Sequence, residues 1–295
     1  MAERSLLVCG LGYAGMAVAR RAAARGWRVA GTTREPAAMR APEGVRVAAF
    51  AEAGAALAGA THLLVTAAPG EGGDPVIAAH RDAIVTAPAL RWIGYVSTTD
   101  VYGDRGGGWV GEDAAPAPAQ ERTRRRVAAE EAWRDLARRV GCALDIFRTG
   151  GIYGPGRSAI DDLRAGTARQ RVVKPGHLFS RIHRNDIALA VLAAAEQEPD
   201  RQRTRIFHLV DDEPAESAAV IEEAARLLGV PPPPAVPFEQ AVHSMSPMAR
   251  SFWAEDRRVA NARTKAELGI AWQYPTYREG LRAILIEQGG EGPRQ

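Results

Sequence analysis

Val8-Cys9-Gly10-Leu11-Gly12-Tyr13-Ala14-Gly15 places Gly-x-Gly-x-x-Gly between a short apolar run and an amphipathic stretch near the start of the chain. Each glycine in that spacing answers a physical demand. Gly10 permits a tight turn, Gly12 lets backbone approach a diphosphate, and Gly15 lets a helix pack closely on the strand before it. The free N–H groups at the amino end of that helix, around Tyr13 and Ala14, face the anion. A glycine loop alone is weak; its place between strand and helix predicts a dinucleotide site.

Working outward, short apolar runs alternate with helical stretches, the pattern of parallel strands joined by crossover helices. Strands are expected at 5–9, 27–32, 45–50, 62–67, 91–97 and 142–147, with helices over 13–25, 74–87 and 119–140. Gly26 stops the first helix as a C-cap glycine does. The expected fold class is α/β, a Rossmann-type doubly wound parallel sheet over residues 1–150. Residues 151–295 form a smaller C-terminal α/β lobe for substrate, interleaved with the sheet. In that half the pattern predicts a helix over 185–196, a strand over 205–210 and helices over 216–228 and 276–288. Pro231 to Pro234 read as a stiff connector, and the tail from Gly289 as frayed.

Composition limits the function. The chain has 295 residues, 46% hydrophobic and 25% charged, with a formal net charge of +3. This is a globular composition with ample chain for a core. Lys174 and Lys265 are the only lysines among 38 basic residues. The arginines are interleaved with acids and no aromatic-basic motif accompanies them, so nucleic acid is not an expected partner. No stretch approaches the roughly 20 apolar residues that span a bilayer. Cys9 and Cys142 can form neither a disulfide framework nor a metal cluster. A cytoplasmic location, no membrane and no metal are the expectations.

The second strand bears on which dinucleotide binds. An NAD-preferring site ends this strand in Asp or Glu, held against the ribose 2′-hydroxyl. Here Arg28-Val29-Ala30-Gly31 runs into Thr32-Thr33-Arg34. Thr33 stands where the acid is expected, and Arg34 can fork two donors onto a 2′-phosphate. NADP(H) is therefore preferred, with NAD(H) through Glu35 as the alternative. The fourth strand exits through Thr66-Ala67-Ala68-Pro69, small residues over which a cofactor can lie.

Tyr95-Val96-Ser97-Thr98-Thr99-Asp100-Val101-Tyr102-Gly103-Asp104 makes the chain recognisable, followed in order by Arg148 to Arg157, Arg181 to Ala188 and Ile206 to Pro214. The sequence resembles the extended short-chain dehydrogenase/reductases, the NAD-dependent epimerase/dehydratase-like proteins, over nearly its whole length. The resemblance implies a Rossmann domain with a closing lobe, and a Ser or Thr that hydrogen-bonds the substrate oxygen. Counting back four from Tyr102 assigns this role to Thr98, with Ser97 the near alternative.

The same resemblance implies a Tyr-x-x-x-Lys dyad on the next helix. Aligning Val127-Ala128-Ala129-Glu130 puts Arg122 and Arg126 at its positions, as in an atypical branch that lacks the dyad. Residues four apart share a helix face, so both guanidiniums can point at the site; equally, Glu121–Arg125 and Arg126–Glu130 pairs can make a solvated surface. A guanidinium attracts anions but is no general acid near neutral pH. The proton is then expected from a water on Thr98, Tyr102, Tyr153 or His183. Tyr153, Arg157 and His183 are the candidate substrate residues, and His183 with Asp186 also resembles a structural pair opening a helix. Gly106 to Gly108 before Trp109 suggest a lid.

The expected activity is that of an NADP-dependent oxidoreductase or epimerase-like enzyme on a small carbonyl or hydroxyl compound, sugar-linked or anionic. The alternative is a catalytically impaired NADP(H)-binding sensor. The resemblance also suggests a homodimer through the helices at 74–87 and 119–140.

Overall fold

Seven strands, buried at the centre and partly exposed toward the edges, form one parallel sheet: β1 (Ser5–Cys9), β2 (Arg28–Thr33), β3 (Val45–Ala49), β4 (His62–Val65), β5 (Trp92–Thr98), β6 (Ala143–Thr149) and β7 (Thr204–Leu209). These come from a computed structural model that describes residues 4–197 and 203–289. The strand order is β7-β6-β5-β4-β1-β2-β3, with every pairing parallel. The order reverses at β1, and a ligand crevice opens where it does, beyond the carboxyl ends of β1 and β4. The loops after those strands meet there: the Thr66 hydroxyl donates to Gly10 O at 2.5 Å.

Both faces of the sheet are covered, which is why its central strands read as continuous apolar runs rather than alternating ones. One layer is α1 (Tyr13–Ala24) with the later helix α4 (Arg184–Glu196); the other is α2 (Pro75–Val85) with α3 (Glu121–Val140). Fully burying one Leu, Val or Ile side chain contributes about 1.5–3 kcal/mol. Leu6, Val8, Leu63, Leu64, Val65 and Ile93 are each 1% exposed or less. The strand and helix expectations hold to within two residues, and Gly26, at φ +78°, follows the end of α1. β6 continues to Thr149 because Arg148 and Thr149 still pair with Ser97 and Thr98.

The two halves of the chain interlock. β7 lies beside β6 at the sheet edge, and α4 packs along α1, although both belong to the second half. The rest of that half builds the lobe around α5 (Ser217–Leu228), α6 (Pro247–Trp253) and α7 (Tyr277–Glu287). Its core gathers Ile160, Leu227, Leu281 and Ile284.

Short parallel pairs bind the second half together, Gly151–Tyr153 with Arg181–His183 and Arg171–Val173 with Ala235–Pro237, and one, Trp109–Val110 with Arg258–Val259, stitches it to the first. Pro231 to Pro234 lead straight into one of these strands, and Arg171 N–H donates to Pro234 O. The glycines before Trp109 are not a free lid. The Arg105 and Gly107 N–H groups donate to Asp256 O, and Trp109 itself is 60% exposed. No described helix is long and apolar enough to cross a membrane. Residues 290–295 of the expected frayed tail lie outside the described residues.

Candidate active site

The glycine turn has the form a diphosphate requires. Gly10 sits at φ +109°, and a Cβ there would lie 2.7 Å from Thr66 Oγ1. A Cβ on Gly15 would lie 2.2 Å from Gly10 O, so helix and turn touch backbone to backbone. Gly12, by contrast, faces open space: its Cβ would meet nothing within 4 Å. It is the N-cap of α1, with no side-chain cap and no acidic residue in the first turn. The leading N–H groups of Tyr13 and Ala14 and the positive end of the helix dipole are thus left for an anion.

Tyr13 joins this turn to the second half of the chain. Its hydroxyl donates to Pro155 O, and the guanidiniums of Arg157 and Arg184 lie over its ring at 5.7 and 5.0 Å. Two cations therefore flank the helix terminus. At the end of β2, Arg34 and Glu35 are exposed and the Thr33 hydroxyl accepts the Glu35 N–H. Ala67 packs against the sheet core, while Ala68 and Pro69 form one wall of a cavity. The turn, its free donors and its flanking cations fit a dinucleotide.

That cavity, about 670 Å³, runs from Ala68 and Pro69 across the ends of β5 and β6 to the lobe. Thr98, Arg122 and Arg126 line it together, with Gly150, Gly151, Tyr153 and Arg157 opposite. The Thr98 hydroxyl accepts the Asp100 N–H, which leaves its own proton to donate. Arg122 pairs with Asp100 at 2.9 Å and stacks on Phe252 at 4.4 Å. Arg126 donates to Tyr95 Oη and Val96 O, both at 3.1 Å, rather than to Glu130. Of the two surface pairs expected along this helix, only Glu121–Arg125 forms.

Three candidates do not reach the cavity. Ser97, 3% exposed, donates to the buried Glu130 and does not line the cavity. Tyr102 is fully buried beneath the site. His208 Nδ1 donates to Ala260 O, so Nε2 accepts from the Tyr102 hydroxyl, which in turn accepts from Arg148. His183 is 1% exposed, and its Nδ1 accepts the Asn185 N–H as the N-cap of α4 while its ring packs on Tyr153 and Tyr274. Asp186 does not cap that helix; its carboxylate accepts the Gln273 and Tyr274 N–H groups and ties the C-terminal segment down. Tyr153 presents its ring to the cavity, but its hydroxyl lies against Gly280 of α7.

Sequence reasoning missed the charge network behind β5. Glu130 receives Arg148 on both oxygens, at 3.1 and 2.6 Å, and the two side chains are each 1% exposed. Apolar spacing along α3 identifies Glu130 as inward-facing, but nothing local names Arg148 as its partner. It missed Asp211 as well, 1% exposed, with neither carboxylate oxygen hydrogen-bonded.

Burial raises the Asp211 carboxyl from 3.8 to about 8, against the opposing pull of Arg181. The folded chain thus holds a proton that the unfolded chain releases between those values, so stability falls as pH rises through that window. Asp186, raised by burial to about 6, adds to the lower part of the slope. Burial lowers His62 and His183 to about 4, which gives the opposite slope below pH 6.5. Urea unfolding across pH 6.5 to 8 should therefore show the decline, and Asp211→Asn should flatten it; an unchanged slope would remove Asp211 as its source.

No family model matches the chain. A functionally unknown conserved protein from Silicibacter pomeroyi DSS, known as a structure, is 43% identical, with a TM-score of 0.87 over 96% of this chain and 99% of its own. The chain belongs to that protein's family. A putative NAD-dependent epimerase/dehydratase from Methylobacillus flagellatus has the same fold, with a TM-score of 0.69 at 22% identity over 98% of this chain and 100% of that one. The chain thus has the Rossmann-type fold of that epimerase/dehydratase structure. A Streptomyces protein, 3-diazoavenalumate denitrifying reductase, is 32% identical over 172 residues, 57% of this chain and 54% of its own length. The chain spans about half of that curated relative. In this family member, the helix positions where the resemblance implied Tyr and Lys hold Arg122 and Arg126, and both guanidiniums reach the cavity.

Proposed function

We propose that the protein is an NADP(H)-dependent oxidoreductase of epimerase/dehydratase type acting on a small carbonyl or hydroxyl compound. One observation carries this reading: the wall beside the glycine turn, the Thr98 hydroxyl and the Arg122 and Arg126 guanidiniums open on a single cavity. The bound nicotinamide would supply or accept hydride. Gly10, Gly12 and Gly15 hold the diphosphate against α1, and Arg34 meets the 2′-phosphate. Thr98 orients the substrate oxygen by donating its free proton, and Arg122 or Arg126 steadies negative charge. The proton comes from water in the cavity, because the guanidiniums at the helix positions cannot give one near neutral pH.

Relatives support the coarse reading, since the Streptomyces protein is named a reductase and the Methylobacillus protein NAD-dependent. The preference for the phosphorylated cofactor rests on Arg34. Charge-assisted hydrogen bonds contribute about 1.5–3 kcal/mol, so Arg34→Ala should lower the NADPH-to-NADH affinity ratio by roughly ten- to a hundredfold. An unchanged ratio would return the choice to NAD.

NADPH consumption over a panel of carbonyl compounds tests the activity. Thr98→Ala should lower kcat by about 10² to 10³, and full activity in that variant would refute its role. A second reading, a sensor of the NADP(H) pool, is favoured by the arginines standing where a proton-donating dyad is expected. It predicts tight nucleotide binding with no turnover on any member of the panel.

A further inference from the structure

The cavity has a composition suited to one kind of substrate. Five guanidiniums line it, of Arg122, Arg126, Arg157, Arg181 and Arg257, against two carboxylates, of Asp100 and Glu255. Both acids are already engaged. Asp100 holds Arg122 and Arg257, and Glu255 pairs with Arg257 at 2.7 Å and accepts from Gln120. Arg126 bonds only neutral oxygens, and Arg157 lies over a tyrosine ring. Arg181 gives one nitrogen to Ala215 O while its Nη1, fully buried, finds no acceptor. The wall therefore carries, in Arg126 and Arg157, two guanidiniums that no carboxylate among the described residues pairs, while Arg181 faces the buried Asp211.

The remaining lining joins threonine and serine hydroxyls to an apolar patch. On α6, Phe252 and Met248 line the cavity yet stay 43% and 59% exposed. The Arg122 guanidinium covers one face of the Phe252 ring at 4.4 Å, one helical turn from Arg126, and the rest of that ring stays open. Large exposed apolar side chains at a cavity mouth mark a place where a ligand buries them. Hydroxyls of Thr98, Thr123, Thr149 and Ser180 line the cavity and can serve a sugar, so a sugar is the rival ligand, although no Asn, Gln or uncommitted carboxylate lines it.

Resting on the oxidoreductase reading, we infer that the substrate is a planar aromatic acid, its ring against Phe252 and Met248 and its carboxylate on the fork of Arg126. A guanidinium fork matches a carboxylate with two parallel hydrogen bonds, and it discriminates against a neutral amide of the same shape. This choice is independent of how the nucleotide binds, because Phe252 and Met248 belong to the lobe and the glycine turn to the sheet domain.

Calorimetric titration of the full chain, with and without NADPH, tests it with cinnamate and 4-hydroxybenzoate, their amides, and UDP-glucose as probes. At least one acid should bind ten or more times tighter than its amide, and tighter than UDP-glucose. Arg126→Met should remove the preference for acid over amide. Phe252→Ser should weaken acid and amide alike by about tenfold while leaving NADPH affinity unchanged, which also reports that the variant is folded. Equal binding of acid and amide, no binding of either acid, or tighter binding of UDP-glucose would overturn the inference. Failure of NADPH to bind would instead defeat the oxidoreductase reading, with the acid-to-amide ratio of the nucleotide-free protein still deciding this one.

Discussion

Glu130→Ala is expected to cost the protein about 3–5 kcal/mol, because it leaves the Arg148 guanidinium charged, buried and unpaired. Arg148 and Glu130 are each 1% exposed, so no water replaces the lost carboxylate. The damage spreads, since Ser97 on β5 and Tyr102 beyond its end bond to the same two side chains. Folded domains are stable by only about 5–15 kcal/mol, so the variant should unfold at far lower urea or not fold at all. Replacing both partners, Glu130→Leu with Arg148→Met, removes the stranded charge and should recover much of the loss, as buried ion pairs often exchange for apolar packing at little net cost. A Glu130→Ala midpoint near that of the parent chain would show that the pair is not a structural centre.

The second large effect separates two glycines three residues apart. Gly15→Val brings a Cβ within 2.2 Å of Gly10 O, which is backbone and cannot swing aside. The turn must shift, and overpacking of this kind costs about 1–3 kcal/mol or more. Gly12→Val meets nothing within 4 Å and keeps an extended backbone that valine adopts freely. It should cost no more than about 1 kcal/mol of stability, as a poorer N-cap residue, and still weaken NADPH binding about a hundredfold, roughly 3 kcal/mol, by filling the space in front of the helix N–H groups. Circular dichroism with nucleotide titration on both variants checks the contrast. Normal binding to folded Gly12→Val would mean that the diphosphate lies elsewhere.

Much of the sheet domain is legible in the chain because its rules are local. Parallel strands buried on both faces appear as apolar runs, and Gly26 and the loop glycines punctuate them. The lobe is less legible. Its strands, such as Gly151–Tyr153 and Arg258–Val259, are two or three residues long and exist only through partners far away in sequence. No period can register in so short a run.

The site shows the same division. Thr98, Arg122, Arg126, Tyr153 and Arg157 meet in space because strand exits and a helix face place them there, as the family resemblance implies and the four-residue spacing of the arginines allows. Ser97 and Thr98 are neighbours in sequence, yet strand alternation sends one to Glu130 and the other to the cavity. Tyr102 and His183 carry chemistry by residue type, but each is consumed by buried partners, His208 and Arg148 for one and the opening of α4 for the other. Only the tertiary arrangement reveals that they are spent.

The account depends on a pyridine dinucleotide seated at the amino end of α1. Isothermal titration of the folded full-length chain with NADPH, then with NADH, tests this most directly. The expected result is saturable one-to-one binding of NADPH, tighter than that of NADH. Absence of heat or displacement with both nucleotides, on material whose circular dichroism shows the α/β fold, would contradict it.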